Sequence, residues 1–148
     1  MTAGDVHTYL LKPGLWRADG EYFDGAGKAY PVEGESRVTH GNALWINESR
    51  MQIAGNEGTS FRNEYRIAPF IGERDFTGWS ADHDVLGKLT GRLILVGDAI
   101  VSLYRSEDSE YAGTESWLRI SRILYRNWGT LFHGSDKLSS WMVRLNRV

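Results

Sequence analysis

The residue types that could do chemistry are thinly spread along this chain. Its four histidines are His7, His40, His83 and His133. None is paired at His-x-His or His-x-x-x-His spacing, the spacings that put two imidazoles on one face for a metal. No metal site is expected from them. There is no cysteine, so disulfides, thiol chemistry and thiolate metal sites are all excluded. Asp82-His83-Asp84 is the most reactive-looking cluster, because flanking carboxylates lift an imidazole towards a useful acid/base range. A solvated loop is the plainer reading. Gly34-Glu35-Ser36-Arg37-Val38 lacks the second glycine of a nucleophile elbow. Gly25-Ala26-Gly27-Lys28 has neither the length nor the Ser/Thr of a phosphate loop and reads as a turn. Asn47-Glu48-Ser49 is a glycosylation sequon in form only, since it falls inside an expected strand with no secretion signal ahead of it. Arg62, Glu64 and Arg66 are types an acid/base site uses, but a charged outer strand face explains them more simply.

The elements that must position these groups are strands. Thr59 to Ile67 alternates most clearly, with Phe61, Asn63, Tyr65 and Ile67 on one face and Ser60, Arg62, Glu64 and Arg66 on the other, a period of two. Further strands are expected at Leu15 to Phe23, Glu35 to His40, Ala43 to Ile53, Arg74 to Ser80, Lys88 to Val96 and Ala99 to Tyr104. Thr114 to Ile120 and Ile123 to Trp128 read as two strands or one bent one. Leu138 to Leu145 closes the series, with Trp141, Val143 and Leu145 sharing a face. Gly97-Asp98 joins two apolar runs, a hairpin signal because glycine supplies the positive φ of a primed turn. Val6, Tyr9 and Leu10 mark a short N-terminal helix that Pro13-Gly14 stops. No crossover helix separates the strands, which argues against a parallel sheet.

Composition sets the outer bounds. The chain has 148 residues, and one domain over 1–148 is expected. A chain of that length buries roughly 68–70% of its unfolded surface and needs no staple. A net charge of −2, from 17 basic and 19 acidic residues, gives no nucleic-acid footprint. Thirteen of the basic residues are Arg, the cation suited to planar carboxylate pairing. No run approaches the ~20 apolar residues of a membrane span. No signal peptide is visible, so a cytoplasmic location is expected. Six Trp and seven Tyr favour a β fold and supply rings for lining a pocket.

A helical turn leading into Gly14-Leu15-Trp16, a first strand with Gly20 and Tyr22, and a last strand with Trp141, Arg144 and Arg147 together resemble the calycin superfamily. That superfamily holds lipocalins, fatty-acid-binding proteins and nitrobindin-like barrels. The resemblance implies that Gly14 and Trp16 form the Gly-x-Trp at the closed end, with Arg144 or Arg147 stacking over Trp16. It also implies a short relative, because the chain stops just after its last strand. Nitrobindin-like proteins bind haem through a His in the second half of the chain, and His133 occupies that region. Phenolic acid decarboxylases use a related barrel with Tyr, Arg and Glu inside.

The expected architecture is therefore all-β: a closed antiparallel up-and-down barrel of about 8–10 strands with a short N-terminal helix. A barrel of that size has room for one small ligand. The expected function is binding of a small hydrophobic or amphipathic molecule, including carboxylates. Trp45, Tyr65, Trp79, Tyr104 and Trp117 are the expected wall residues, with Arg119 as the carboxylate anchor. No cofactor is expected beyond the haem implied at His133. The alternatives are an enzyme doing acid/base chemistry in the same pocket, or a ligand-free homodimeric interaction domain.

Overall fold

The computed structural model describes residues 3–54 and 59–148. One helical turn, α1 (Ala3–Val6), precedes ten strands: β1 (Gly14–Phe23), β2 (Ala29–His40), β3 (Trp45–Ile53), β4 (Ser60–Ile67), β5 (Phe76–His83), β6 (Gly87–Val96), β7 (Ala99–Ser106), β8 (Tyr111–Ser121), β9 (Leu124–His133) and β10 (Asp136–Arg147). Each strand pairs antiparallel with its neighbours in sequence, and β1 pairs with β10, so the barrel closes. Closure leaves unpaired edge only along the short β4–β5 seam, among the described residues. The architecture matches the sequence expectation. The Thr114–Trp128 region resolves into two paired strands, β8 and β9.

Period-two burial sets which side chains enter. In β10 Val143 and Leu145 are buried while Arg144 is exposed. In β6 Leu89, Leu93 and Leu95 go inward while Lys88, Thr90 and Arg92 face out. The outer faces of β1 to β4 carry both signs of charge, among them Glu35, Glu48 and Arg62. The β6–β7 turn uses Gly97 at φ 58°, a left-handed backbone that glycine adopts without steric cost.

The ends of the barrel differ. The segment after α1 crosses the end where β1 starts and β10 stops, and plugs it. His7, Thr8, Tyr9 and Leu10 on this strap are all buried. Leu10 takes φ 67°, an uncommon conformation for a non-glycine residue. Its side chain is buried at 1% exposure, and its carbonyl accepts from His40 Nε2 at 2.8 Å. Trp16 fits under the strap with 0% exposure. The rings of Tyr9 and Tyr125 meet it edge-on at 5.4 and 5.5 Å, pairs worth about 0.5–1.5 kcal/mol each beyond burial. Arg147 is paired with Trp16 across the β1–β10 ladder, and its guanidinium lies toward the Trp16 Nε1 edge rather than over the ring face. Arg144 points outward to Asp19 Oδ2 at 3.6 Å, because it lies on the opposite face from Val143 and Leu145.

His7 ties the strap to the barrel. Its Nε2–H donates to the Gly97 carbonyl at 2.9 Å, so neutral Nδ1 accepts from the Tyr125 hydroxyl at 2.8 Å. That hydroxyl in turn accepts from the Thr8 N–H at 3.1 Å. Burial lowers the His7 pKa from 6.5, opposed by the Gly97 bond and Asp98 and assisted by Arg119. A depressed folded-state pKa means that the unfolded chain binds the extra proton. Stability is then full above pH 6.5 and falls as pH drops below it. We expect His7→Gln to flatten this acid limb in urea-unfolding midpoints measured between pH 7 and 5. An unchanged slope would show that His7 is not the group responsible.

Candidate functional site

A cavity of about 350 Å³ fills the middle of the barrel and opens at the unplugged end. Its floor is a polar ring under the strap. Ser36 Oγ donates to Asn47 Oδ1 at 2.7 Å, and Asn47 Nδ2 donates to the Tyr9 oxygen at 3.1 Å. The Tyr9 hydroxyl must then donate to Ser36 Oγ at 2.8 Å, which closes the ring. Burial pushes the Tyr9 pKa up to about 12, helped by the Glu115 charge and opposed by the Ser36 and Asn47 hydrogen bonds. The ring meets its own hydrogen-bonding needs and acts as a rigid base.

The walls are aromatic. Tyr65 meets Trp79 edge-on at 4.9 Å, and Trp79 lies 5.7 Å from Tyr104. Trp79 Nε1 donates to Ser102 Oγ at 3.0 Å, and the Tyr104 hydroxyl donates to the Thr130 carbonyl at 2.8 Å. Three glycines let rings lie flat on the sheet. A β-carbon at Gly91 would overlap Trp79, one at Gly113 would overlap Tyr104, and one at Gly129 would overlap Trp141. Around the mouth stand Tyr22, Phe61, His83, Val85, Leu86 and Leu138. The β4–β5 seam is short, with only Arg66–Ser80 and Ile67–Trp79 in register, so Phe61 and Asn63 flank the opening. His83 Nδ1 accepts the N–H groups of Val85 and Leu86, both at 3.1 Å, and shapes the turn there. Its neighbour Asp82 pairs with Arg66 at 2.9 Å.

One ionisable group stands out in the interior. Glu115 enters from β8 and its Oε2 accepts from Asn127 Nδ2 at 3.1 Å and Trp141 Nε1 at 3.2 Å. Among the described residues no Lys or Arg lines the cavity. Burial pushes the Glu115 pKa from 4.5 up to about 7, against the pull of the Asn127 and Trp141 bonds. Tyr65 and Tyr104 are also pushed up, first by burial and then by the Glu115 charge. The cavity is thus an apolar aromatic slot with one carboxyl that gains or loses its proton near neutrality. Trp141→Phe keeps a ring but removes a donor to the charged form. We expect it to move the Glu115 titration, followed by NMR of the carboxyl carbon, further above 7; a downward move would contradict these contacts.

Tyr65, Trp79, Tyr104 and Trp117 line the cavity. Trp45, Arg119 and His133 do not. Trp45 opens β3 at the plugged end, where its ring stacks on His40 at 3.9 Å. Arg119 shares a face with Glu115 and Trp117 but lies beyond Trp117 on the way to the plugged end. His133 ends β9 at the open rim, stacked on Tyr111 at 4.8 Å and 3.7 Å from Glu110 Oε2. Among the described residues no three His, Asp or Glu side chains gather as a metal site would need.

The barrel is similar to a solved enzyme structure. The S-type phycobiliprotein lyase of Guillardia theta matches it with a TM-score of 0.68, over 92% of this chain and 88% of that one. The two are 12% identical, so the likeness is one of fold. No family model matches the chain, and neither does any curated protein.

Glu115, Asn127 and Trp141 are not among the site residues expected from the sequence, although Trp141 is placed there on one face with Val143 and Leu145. Their signal was parity: Glu115 stands two residues before Trp117 and must share its face.

Proposed function

We propose that this chain is a binding protein for a flat, largely apolar molecule that presents an N–H donor or a protonated nitrogen to Glu115. The observation that carries this reading is a carboxyl inside an aromatic cavity with no Lys or Arg lining it among the described residues. Ligand pockets of this kind are mostly apolar, with a few polar groups that fix orientation. Charge-assisted hydrogen bonds in a dry site are the strong ones, so an N–H is oriented by Glu115 while the ring system lies on Tyr65, Trp79 and Tyr104.

A bilin-like molecule, a chain of pyrrole-type rings with inward N–H groups, has this chemistry, and the lyase of similar fold lends it support. The cavity is near the small end of the ~300–1,000 Å³ range of ligand sites, so part of such a chain would project through the mouth. Lys28 and Lys137 sit at the open-end hairpins, over Tyr30 and Phe23, where they suit acidic tails of an amphipathic ligand. An acid/base enzyme needs a second titratable group set against the first, but burial drives Tyr65 and Tyr104 upward, and His83 at the mouth has its Nδ1 engaged by the Val85 and Leu86 N–H groups. Binding is therefore the reading favoured over catalysis.

Biliverdin, titrated at pH 8 while tryptophan fluorescence is read, tests the proposal. We expect saturable quenching in the parent and affinity about 10–100-fold weaker in Glu115→Gln, the range for a charge-assisted bond. No quenching, or equal affinity in the two proteins, would defeat it.

A further inference from the structure

The outer surface of the barrel is of two kinds. On β1 to β4 the outward positions carry both signs of charge: Arg17 lies opposite Glu35, and Arg37 opposite Glu48. On β6 to β9, and on β10 beyond its bulge, the outward positions carry no Asp or Glu among the described residues. Their cations are Lys88, Arg92, Arg105, Arg126 and Arg144. Among the described residues only Arg144 of these is in an ion pair, with Asp19 at 3.6 Å. Most of the other outward side chains here are apolar. The ladders set Phe76, Ile94, Val101, Ser116, Trp128 and Met142 side by side in one row across β5 to β10. Leu103 stands beside this row toward the open end, and Val96 and Leu118 toward the plugged end. Phe76, Val96 and Leu103 are 47%, 59% and 53% exposed. The Arg126 guanidinium lies over the Trp128 ring, 5.3 Å from its centre.

A single exposed apolar residue is ordinary, but a contiguous band of them marks an interaction site. Protein interfaces are enriched in aromatic side chains, Met and Arg, and depleted in Asp, Glu and Lys. The face of β6 to β10 has that composition. Its charge indicates what covers it. A second copy meeting it through the same face would set arginines against arginines, which costs binding energy. Anionic lipid attracts Lys and Arg alike, whereas the planar guanidinium fork is matched to carboxylates and sheds water more easily than an ammonium.

We propose that the outer face of β6 to β10 docks another protein through a surface that mixes carboxylates with apolar side chains, with Trp128 and Arg126 as its anchors. Trp and Arg are the residue types that most often dominate the energy of an interface. Carboxylates of the partner pair with Arg92, Arg105 and Arg126, and its apolar groups cover the row from Phe76 to Met142. None of these residues lines the cavity, so the docking face does not depend on how the site at Glu115 is read.

The probe for the test is a random copolymer of glutamate and tyrosine, which offers carboxylates and rings together. The amide and indole NMR signals of the full chain are followed as it is added. We expect saturable shifts confined to β5 to β10, the Trp128 indole N–H among them, with binding that weakens as salt is raised. Arg126→Glu and Trp128→Ser should each weaken binding about tenfold or more. Arg50→Glu makes the same change of charge on the outward face of β3 and should leave binding as it was. If Trp128→Ser does not fold, Leu103→Ser at an exposed position takes its place. No binding, shifts centred on β1 to β4, or equal losses in Arg126→Glu and Arg50→Glu would overturn the proposal. Binding to phosphatidylglycerol vesicles with none to the copolymer would overturn it in favour of a lipid surface. A dimer in sedimentation that Leu103→Arg dissolves would overturn it in favour of a second copy.

Discussion

Glu115→Gln should stabilise the empty barrel by about 3 kcal/mol at pH 8 and change little near pH 4. The reason is the raised carboxyl pKa, about 7 against the ordinary 4.5, caused first by burial. Between those values the folded state holds a proton that the unfolded state has released. Stability therefore declines as pH rises through this window, and is lowest above 7 where the buried carboxylate is charged. Glutamine imitates the protonated form and removes that cost. Urea melts of both proteins from pH 4 to 9 measure it. The same substitution weakens ligand binding, and this opposition separates a functional group from a structural one. A destabilised variant at pH 8 would show instead that the carboxylate is needed for folding. His7 tilts the pH profile the other way below 6.5, so its contribution is cleanest in the Glu115→Gln background.

Trp16→Ala should cost about 3–5 kcal/mol, the range for removing a fully buried large ring. Trp16 fills the space between the strap and the first strand, and both Tyr9 and Tyr125 lose their edge contact with it. Much of the stability of an ordinary domain is of that size. Trp45→Ala should cost only about 1–2 kcal/mol, because this ring is half-buried and its main partner is the face of His40. Thermal unfolding of the two variants side by side checks the contrast. Equal losses would mean that the plugged end is not held by Trp16.

The strands were legible because alternation fixes faces, and the face assignments for β4 and β10 hold in the structure. Height along the barrel was not legible. Trp45 lies on the same face as Asn47 and Met51, which line the cavity, but it stands nearer the plugged end, where the strap fills the interior. Arg119 has the parity of Glu115 and Trp117 but lies past the Tyr9–Trp117 floor. His133 has the parity of Leu131 yet runs out onto the rim. No period of two carries this third coordinate. It depends on the strap over residues 7–12, whose short sequence only hints at a helix. Glu115 was hidden for another reason. Between Thr114 and Ser116 no hydrophobic alternation marks the face, so only Trp117 two residues on gives it away. Nothing in the sequence marks Asn127 and Ser36 as facing inward, because the strand alphabet cannot tell a polar floor from a solvated edge. A glycine inside a strand carries no packing signal of its own, so the use of Gly91, Gly113 and Gly129 as flat seats for Trp79, Tyr104 and Trp141 needs the register between strands.

The measurement that bears most directly on the interior site is an NMR titration of the Glu115 carboxyl carbon, first in the empty protein and then with biliverdin bound. The expected result is a midpoint near 7 in the empty barrel that falls when an N–H donor settles against the carboxylate. A midpoint at the ordinary 4.5, or one that biliverdin leaves in place, would contradict the claim that Glu115 is the buried anchor of a ligand site.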